Sequence, residues 1–272
     1  MEDHFVRNEI QRFLREDVGY GDITSDLICG DEEIDCHIIA KEDFVLSGLR
    51  EAGIVFEELG AKWTSSLSSG DSVKKGDILM NIQGVSSNVL SAERLALNIL
   101  MRMSGIATKV SKMVKLAGDT KVAATRKTTP GFRYFEKKAV VHGGGDPHRY
   151  RLDDMILIKD NHIKSAGGLE KAVRLAKKGS IYKKIEVEVS SPSRVSEAAN
   201  LDVDIIMLDN MSIQEVEIAY KQIKDIDPGI IVEISGNINI DNIADYAPFA
   251  DVVSSGAITH SVKSADVSMN II

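Results

Sequence analysis

Aromatic residues, cysteines and long apolar runs are scarce in this sequence, and each shortage excludes a class of protein. Aromatic side chains make up 5% of the 272 residues, with Trp63 as the single tryptophan, which argues against a stacking platform for single-stranded nucleic acid. The two cysteines, Cys29 and Cys36, are too few for a disulfide scaffold and lack the spacing of metal ligands. Since no run of about eighteen apolar residues occurs, no membrane-spanning helix is predicted.

Basic residues are also in the minority, because 33 lysines and arginines face 41 aspartates and glutamates and leave a net charge of -8. An acidic protein of this kind is not expected to bind nucleic acid or an anionic membrane, since both require a basic surface. Residues 1–17 have no apolar core of the kind that a signal peptide carries, and they predict an amphipathic helix instead. The sequence therefore predicts a cytoplasmic globular protein.

The first hundred or so residues have the texture of a small β-rich domain. Residues 36–48 alternate in the manner of half-buried strands. Residues 66–84 carry turn signals between short alternating runs, which predicts antiparallel hairpins like those of biotinyl and lipoyl carrier domains. From Ser91 to about Ala117 the apolar residues recur at helical spacing, and Gly105 indicates either a break or a close helix contact.

The rest of the chain alternates between short apolar runs and amphipathic helical stretches. This rhythm is typical of βαβ units and a parallel sheet. Six strands in this length fit a small, incomplete parallel β/α barrel better than an open nucleotide-binding sheet, and no G-x-G-x-x-G motif opens the first helix. The six predicted strands are 121–125, 155–159, 185–189, 205–209, 230–235 and 251–256.

Each predicted strand ends in a polar or small residue, and the residue types are sorted along the chain. The carboxyl ends of barrel strands form the active-site rim. The early strands end in cations suited to carboxylates and diphosphate, the middle strands in carboxylates suited to sugar hydroxyls or a divalent ion, and the late strands in Ser-Gly pairs suited to a phosphate. These residues are Arg126, Lys127, Lys159, Glu188, Asp209, Ser235-Gly236 and Ser255-Gly256.

The cations are concentrated in one segment. Residues 121–164 hold ten basic side chains against five acidic ones, a local charge of +5 within a chain of -8. A local positive site on an acidic protein indicates a small anionic ligand. Lys137, Lys138 and Lys164 are predicted to be solvated charges on helix surfaces and not part of that site.

Nine stretches, in order and over nearly the whole chain, resemble the quinolinate phosphoribosyltransferase family, also called carboxylating nicotinate-nucleotide diphosphorylases. TRKTTPG, GGGxxHR and IKDNH are highly specific among them. The stretches are 16–26 (EDVGYGDITSD), 92–108 (AERLALNILMRMSGIAT), 125–131 (TRKTTPG), 137–149 (KKAVVHGGGDPHR), 156–163 (ILIKDNHI), 186–191 (EVEVSS), 205–212 (IIMLDNMS), 233–238 (EISGNI) and 254–261 (SSGAITHS).

The resemblance implies an α/β fold and a decarboxylating pentosyltransferase. The fold would consist of an N-terminal α/β sandwich domain with bridging helices (1–110) and a C-terminal incomplete α/β barrel (111–272), whose last segment can pack back on the first domain. The reaction would convert quinolinate and phosphoribosyl diphosphate, with Mg2+, to nicotinate mononucleotide, diphosphate and CO2. The family forms homodimers, in some cases assembled further, in which an arginine at the position of Arg94 enters the neighbouring active site.

The resemblance also implies a role for individual residues. Lys127, Lys159, Glu188 and Asp209 would be catalytic, and Glu188 and Asp209 would meet the ribose hydroxyls and, through water, Mg2+. Lys159 would lie by the diphosphate. The quinolinate carboxylates would be held by Arg126, Arg149 and a neighbour's Arg94, with Thr125, Lys127 and His148. The 5′-phosphate would be surrounded by Ser235, Gly236, Asn237, Ser255, Gly256, Ala257 and His260. The chain departs from the family pattern at Pro147 and Asn237, where Asn and Gly are common.

Three other interpretations remain open from the residues alone. The first is another type II phosphoribosyltransferase, either a nicotinate enzyme or the molybdenum-associated protein. The second is a barrel aldolase that forms a Schiff base on Lys159, because a desolvated lysine at a strand end can be a nucleophile. The third is a phosphosugar-binding protein without catalysis.

Overall fold

The computed structural model describes residues 2–272, and the chain divides into two compact units, one of residues 1–109 with 262–272 and one of residues 110–261. In the first part of the chain the elements are α1 (Glu2–Asp17), α2 (Ile23–Ile28), β1 (Glu33–Ala40), β2 (Phe44–Val45), α3 (Leu49–Glu58), β3 (Lys62–Thr64), β4 (Ser72–Val73), β5 (Ile78–Val85) and α4 (Ser86–Ala117).

The second part carries shorter elements up to the end of the chain. They are β6 (Lys121–Ala123), α5 (Arg133–His142), β7 (Ile156–Ile158), α6 (Asp160–Ala166), α7 (Leu169–Gly179), β8 (Ile185–Val189), α8 (Val195–Ala199), β9 (Ile205–Asp209), α9 (Ile213–Ile226), β10 (Ile231–Ser235), α10 (Ile243–Tyr246), β11 (Val252–Ser254), α11 (Ala257–His260) and β12 (Val267–Ile271). Among residues 2–272, no helix combines the length and the apolar character needed to cross a membrane.

The first unit is built on an antiparallel sheet with the strand order β12-β1-β5-β3. Cys36, Ile38 and Ala40 of β1 point into the core while their neighbours are more exposed, so the predicted half-buried strand is confirmed. The predicted hairpin within residues 66–84 is wrong, because β4 pairs with β2 and β5 pairs with β1 and β3. The turn signals mark real turns there, but both strands find partners from elsewhere in the unit.

Helix α4 is continuous through Gly105, so the predicted break is absent and the alternative, a close contact, is confirmed. A Cβ added to Gly105 would lie 2.3 Å from the Lys263 carbonyl oxygen. A side chain at this position would therefore push the backbone of residue 263 away from the helix. The segment before β12 depends on this glycine for its path.

All six strands predicted for the second unit form one parallel sheet, in the order β6-β11-β10-β9-β8-β7. Because all the pairings are parallel, the six carboxyl ends lie at one edge of the sheet. Strands β6 and β7 lie at the two ends of the order and do not pair, so the barrel is incomplete, as predicted. Ala123 of β6 forms a single parallel bridge with Asp146, which brings the Gly-Gly-Gly loop and His148-Arg149 to the carboxyl end of β6.

Candidate active site

A cavity of about 620 Å3 opens at the carboxyl ends of the six strands. Eleven of the residues predicted from the sequence line it, and six further residues were not predicted. The predicted residues are Thr125, Arg126, Lys127, His148, Arg149, Lys159, Glu188, Asp209, Ser235, Gly236 and Asn237. The additional ones are Ala124, Leu157, Met207, Asn210, Glu233 and Ser254.

Two guanidinium groups on one side of the cavity lack strong partners of their own. The Nε atom of Arg126 is buried and has no hydrogen-bond partner among the residues that the structure describes. Arg149 donates only one long bond, 3.5 Å, to the Met155 carbonyl oxygen. Burial lowers the pKa of Arg149, and the positive charge of Arg126 lowers it further. Because a buried unpaired cation is costly, this pair is suited to an anion that bridges both groups.

Lys159 follows β7 and forms a direct ion pair with the Glu188 carboxylate. The exposed fraction is 44% for the lysine side chain and 17% for the glutamate. The ammonium group therefore faces the cavity and still has room for a second anionic partner besides Glu188. His162 Nδ1 accepts the backbone N–H of Lys159 at 3.0 Å. His162 thus orients the backbone of Lys159 at the start of α6.

A chain of amides connects the carboxyl ends of β9 and β10. Asn237 Nδ2 donates to Asn210 Oδ1 at 3.2 Å, and Asn210 Nδ2 donates to Asp209 Oδ2 at 2.8 Å. Gly236 lies between these strand ends with a φ of 97°, and a Cβ there would be 2.4 Å from Asn210 Oδ1. The unusual Asn237 thus adds a side-chain contact that orients the Asp209 carboxylate through Asn210.

The late Ser-Gly pair lies beside Lys127 instead of lining the cavity. Ser255 Oγ donates to the Ile238 carbonyl oxygen at 2.5 Å and accepts the Ala257 N–H at 3.2 Å. A Cβ on Gly256 would lie 2.8 Å from Lys127 Cδ and 3.0 Å from His260 Cδ2. The turn at Gly256 therefore packs against the Lys127 side chain.

Ser254, one residue earlier, lines the cavity in place of Ser255. It is 2% exposed, and its Oγ has no hydrogen-bond partner within residues 2–272. The signal that could have found it is the strand period, since neighbouring residues of a strand point to opposite faces.

Arg94 is exposed on α4 in the first unit, where it lines a second cavity of about 290 Å3 with Asp17, Asp22 and Ser91 among others. It is thus the one predicted site residue outside residues 110–261. The cavity of the barrel unit is lined by barrel residues alone.

Two buried glutamates lie beneath His148, and sequence reasoning missed both as members of the site. Glu186 of β8 is 0% exposed and Glu233 of β10 is 2% exposed. His148 Nε2 lies 3.1 Å from Glu233 Oε2 and 3.8 Å from Glu186 Oε2. Burial, followed by the charge of Glu233, raises the pKa of Glu186 to about 8. Their signal in the sequence is a glutamate in the middle of an apolar strand, in IEVEV and IIVEIS.

The electrostatics of His148 combine opposing effects. Burial lowers the pKa of His148, whereas the hydrogen bond with Glu233 and the charges of Glu233 and Glu186 raise it, with a net rise. The nearby Lys137 ammonium acts in the same direction as burial. The buried carboxylates thus place negative charge next to the cations that line the same cavity.

The prediction that Lys137 is a solvated surface charge is wrong. Lys137 is wholly buried, and its Nζ donates to the carbonyl oxygen of Pro147 and lies 5.4 Å from the centre of the Tyr150 ring. Burial lowers the pKa of Lys137 to about 8, and the charge of Arg133 adds to this effect. The unusual Pro147 therefore supplies an anchor through its carbonyl group.

This buried lysine makes stability depend on pH. In the unfolded chain a lysine keeps its proton up to about pH 10.5, whereas folded Lys137 releases it near pH 8. Between these values the unfolded state binds the extra proton, so the free energy of unfolding contributed by Lys137 rises with pH, by at most about 3 kcal/mol.

We expect Lys137→Met to lose this rise, so that its thermal midpoint falls further behind the wild type from pH 7.5 to pH 9.5. Lys138→Met is the matched control on the same helix and should show a constant difference, whereas parallel curves for both variants would contradict the assignment.

Comparisons with known proteins agree along the whole chain. Residues 22–104 match the N-terminal domain of quinolinate phosphoribosyl transferase, and residues 106–270 match its C-terminal domain. A probable carboxylating nicotinate-nucleotide pyrophosphorylase of Archaeoglobus fulgidus is 43% identical over 260 residues, which cover 93% of this chain and 99% of that protein. The decarboxylating quinolinate phosphoribosyltransferase 1b of Nicotiana tabacum is 36% identical, over 98% of this chain and 82% of its own.

Solved structures give the same result. NadC of Streptococcus pyogenes superimposes with a TM-score of 0.92 at 38% identity, covering 99% of this chain and 98% of its own. Human nicotinic acid phosphoribosyltransferase, at 10% identity and a TM-score of 0.66, covers 93% of this chain and 74% of its own and shares the fold alone. With both domain families matched and relatives of this identity spanning its length, the chain belongs to the quinolinate phosphoribosyltransferase family.

Proposed function

We propose that this protein transfers the phosphoribosyl group of phosphoribosyl diphosphate to quinolinate and releases diphosphate and CO2, giving nicotinate mononucleotide for NAD synthesis. The observation that carries the proposal is the pair of incompletely bonded guanidinium groups, Arg126 and Arg149, in a cavity that also presents Lys159, Glu188 and Asp209. A planar dicarboxylate suits two neighbouring guanidiniums, because each guanidinium can donate two parallel N–H bonds to one carboxylate. Family membership supports the same reaction.

The carboxylate-binding side of the cavity orients quinolinate. Arg126, Arg149 and Lys127 bind the two carboxylates, and the mutual repulsion of the two guanidiniums is relieved when the dianion enters. Holding the pyridine ring in this way aims its nitrogen at the anomeric carbon of the second substrate. Positioning of this kind can lower a barrier by several kcal/mol without any covalent enzyme intermediate.

The opposite side of the cavity binds phosphoribosyl diphosphate. The carboxylates of Glu188 and Asp209 accept ribose hydroxyls, Lys159 stabilises the departing diphosphate, and the strand ends at Ser235-Gly236 and Ser254 offer N–H and O–H donors to the 5′-phosphate. The two partners of the Lys159–Glu188 ion pair thus bind different parts of one substrate, the lysine its diphosphate and the glutamate its ribose.

Mg2+ is part of this proposal. The side chains of Glu188 and Asp209 offer carboxylate oxygens to the cavity, and Mg2+ is typically bound by one or two carboxylates together with substrate phosphates and retained waters. These residues therefore fit the ion through water. Bound there with the substrate, Mg2+ would neutralise charge on the leaving diphosphate.

The reaction needs no activated nucleophile from the protein. The pyridine nitrogen forms a bond to the anomeric carbon as the bond to diphosphate breaks, through a ribosyl-cation-like transition state. The carboxylate beside the new pyridinium nitrogen then leaves as CO2, its bonding electron pair stays on the ring carbon, and a proton from water replaces it. The pyridinium nitrogen stabilises that electron pair, so the chain's residues bind and orient and do not attack.

The proposal includes a homodimer in which Arg94 of a neighbouring subunit enters the site. Arg94 is exposed on α4 and belongs to the first unit, so a second subunit is the proposed source of this third arginine. Arg94→Met should therefore lower activity, and mixing it with an inactive Arg126→Met protein should restore part of the activity through mixed dimers. Sedimentation of the wild-type protein as a monomer, or the absence of any restoration after exchange of subunits, would contradict this part.

Product analysis tests the reaction itself. The purified protein is incubated with phosphoribosyl diphosphate and Mg2+ and with either quinolinate or nicotinate, and mononucleotide and CO2 are measured. We expect equal amounts of both products from quinolinate and no mononucleotide from nicotinate. Formation of mononucleotide from nicotinate alone would overturn the proposal, and omission of Mg2+ with added chelator tests the ion separately.

The aldolase interpretation is not favoured by the surroundings of Lys159. A Schiff-base lysine lies desolvated in an apolar pocket, whereas Lys159 is 44% exposed and bonded to Glu188. Borohydride trapping with a carbonyl substrate is expected to give no adduct on Lys159.

A further inference from the structure

The turn that carries His148 and Arg149 has a strained backbone. His148 has a φ of 51°, in the left-handed region that a residue with a Cβ rarely adopts. Such a conformation costs on the order of 1 kcal/mol and persists only when the surrounding contacts impose it. The contacts of this turn therefore show what holds Arg149 in place.

Two of these contacts come from the turn itself. Asp146 Oδ1 accepts the backbone N–H of His148 at 2.6 Å, and His148 Nδ1 accepts the backbone N–H of Arg149 at 2.8 Å. Lys137 adds a third from α5 by donating to the carbonyl oxygen of Pro147. The imidazole ring is thus bonded to the backbone of the very residue that is proposed to bind a carboxylate.

The fourth contact comes from across the sheet. Glu233 lies in the middle of β10, and its Oε2 is 3.1 Å from His148 Nε2, which is hydrogen-bonding distance. With Nδ1 accepting from Arg149, Nε2 carries a hydrogen and donates to the carboxylate. Glu233 thereby fixes the ring, and the ring fixes the Arg149 backbone.

Arg149 depends on this support because its own side chain has little. In the described part of the chain this side chain donates a single long hydrogen bond, at 3.5 Å, to the Met155 carbonyl oxygen. A guanidinium that binds a carboxylate in a bidentate manner must be placed to within about 0.5 Å. The rigid β10 strand can supply this precision only through His148.

We infer that Glu233 is a positioning residue for quinolinate, which acts by holding His148 and, through its ring, the turn that places Arg149. The inference rests on the proposed function for its substrate. Glu233 itself touches no reacting atom. His148 has partners on both ring nitrogens, so its part in the same unit is to transmit the position of β10 to Arg149.

Two variants of Glu233 separate its hydrogen bond from its charge. Glu233→Leu removes the acceptor, and we expect the KM for quinolinate to rise roughly 10- to 100-fold, since misplacement by about 1 Å can cost that much, while the KM for phosphoribosyl diphosphate stays within about 2-fold. Glu233→Gln keeps an acceptor oxygen at the same place and should stay within a few-fold of the wild type. Leucine and glutamine variants with equal losses would show that charge matters and would overturn the inference.

A double-mutant cycle with His148→Ala gives a second test. If Glu233 acts through His148, the Glu233→Leu change should add nothing to the loss already caused by His148→Ala. Additive losses would mean that Glu233 acts by another route. Glu197→Gln is the control, because Glu197 is an exposed glutamate of α8 outside the cavity, and it should leave the KM for quinolinate near the wild-type value.

A measurement on the unliganded wild-type protein keeps the inference independent of the proposed function. In a 15N–1H NMR spectrum the Nε2–H of His148 should be protected from solvent exchange, and this signal should persist in Glu233→Gln and vanish in Glu233→Leu. This readout also serves if the leucine variant does not fold. If the protein does not turn over quinolinate but the Nε2–H is protected, the proposed substrate is wrong and the link from Glu233 through His148 to Arg149 still stands. An unprotected Nε2–H would overturn the inference.

The same three side chains could alternatively hold a metal ion, since ligand atoms of His148, Glu186 and Glu233 all lie within 4.8 Å of one another. Elemental analysis of the purified wild-type protein decides between the two. We expect no stoichiometric metal. One tightly bound transition-metal ion per chain that is lost in Glu233→Leu would replace the hydrogen-bond explanation and overturn the inference.

Discussion

Replacing Arg126 by methionine is expected to lower kcat/KM for quinolinate by roughly 30- to 5,000-fold. The estimate corresponds to about 2–5 kcal/mol for the loss of one buried, charge-assisted contact with an anion. Arg126 lines the cavity, and its buried Nε has no hydrogen-bond partner among residues 2–272, so the guanidinium is not engaged through this atom before a ligand binds. Methionine fills much of the same space, and the loss therefore reports on the guanidinium and not on a cavity.

The pattern of the kinetic constants distinguishes a carboxylate clamp from a general defect. With Arg126→Met, the KM for quinolinate should rise more than the KM for phosphoribosyl diphosphate. Arg126→Lys should be intermediate, because lysine keeps the charge but loses the planar, bidentate geometry. Arg174→Met, an exposed arginine of α7 in the same unit, is the control and should behave as the wild type. A loss below about 3-fold in Arg126→Met would remove Arg126 from the substrate site.

The barrel was predictable because the sequence of each strand indicates two environments: apolar residues for the buried interior and a polar residue for the cavity. The runs at 185–189 and 205–209 are mostly buried, and a polar residue at or next to the end of each run, Glu188 or Asp209, meets the cavity. Polar residues at the ends of parallel strands converge by geometry alone. The sequence alone therefore places Lys159, Glu188 and Asp209 on one rim.

Lys137 shows what the local sequence could not predict. A lysine on an amphipathic helix is normally solvated, and the residues around it carry no contrary signal. Its burial follows from the loop ten residues later, whose Pro147 carbonyl lies over the amine. The sequence likewise predicted turns within 66–84 but not that β4 would pair with β2, because pairing between separated strands is decided by the packed unit.

The two buried glutamates were overlooked for a related reason. Glu186 and Glu233 occupy inward positions in strands that otherwise read as apolar, and a single polar residue in such a run is easily taken for a surface position of an edge strand. Only the strand order, with β9 between β8 and β10, shows that they meet beneath His148. Burial of two carboxylates side by side is costly, which makes them more informative about function than the exposed charges.

Glu186→Gln is expected to stabilise the protein at alkaline pH, by up to a few kcal/mol. The unfolded chain releases the Glu186 proton near pH 4.5, whereas the folded protein keeps it until about pH 8. Between these values the folded state binds the extra proton, so the contribution of Glu186 to the free energy of unfolding falls as pH rises and reaches its lowest value above pH 8. Glutamine cannot ionise, so Glu186→Gln removes this pH-dependent loss of stability.

Thermal unfolding measures this effect directly. We expect the midpoint of Glu186→Gln to exceed that of the wild type by roughly 5–10 °C near pH 8.5 and by much less near pH 5. Glu136 is the matched control, since it is also wholly buried but accepts two bonds at 3.0 Å from Thr129. Glu136→Gln should be neutral or destabilising at both pH values, because it weakens bonds to a charged acceptor. A Glu186→Gln midpoint that is lower than the wild type at pH 8.5 would mean that the ionised carboxylate is favoured in the folded protein, with Arg149 and Lys159 as the charges that stabilise it.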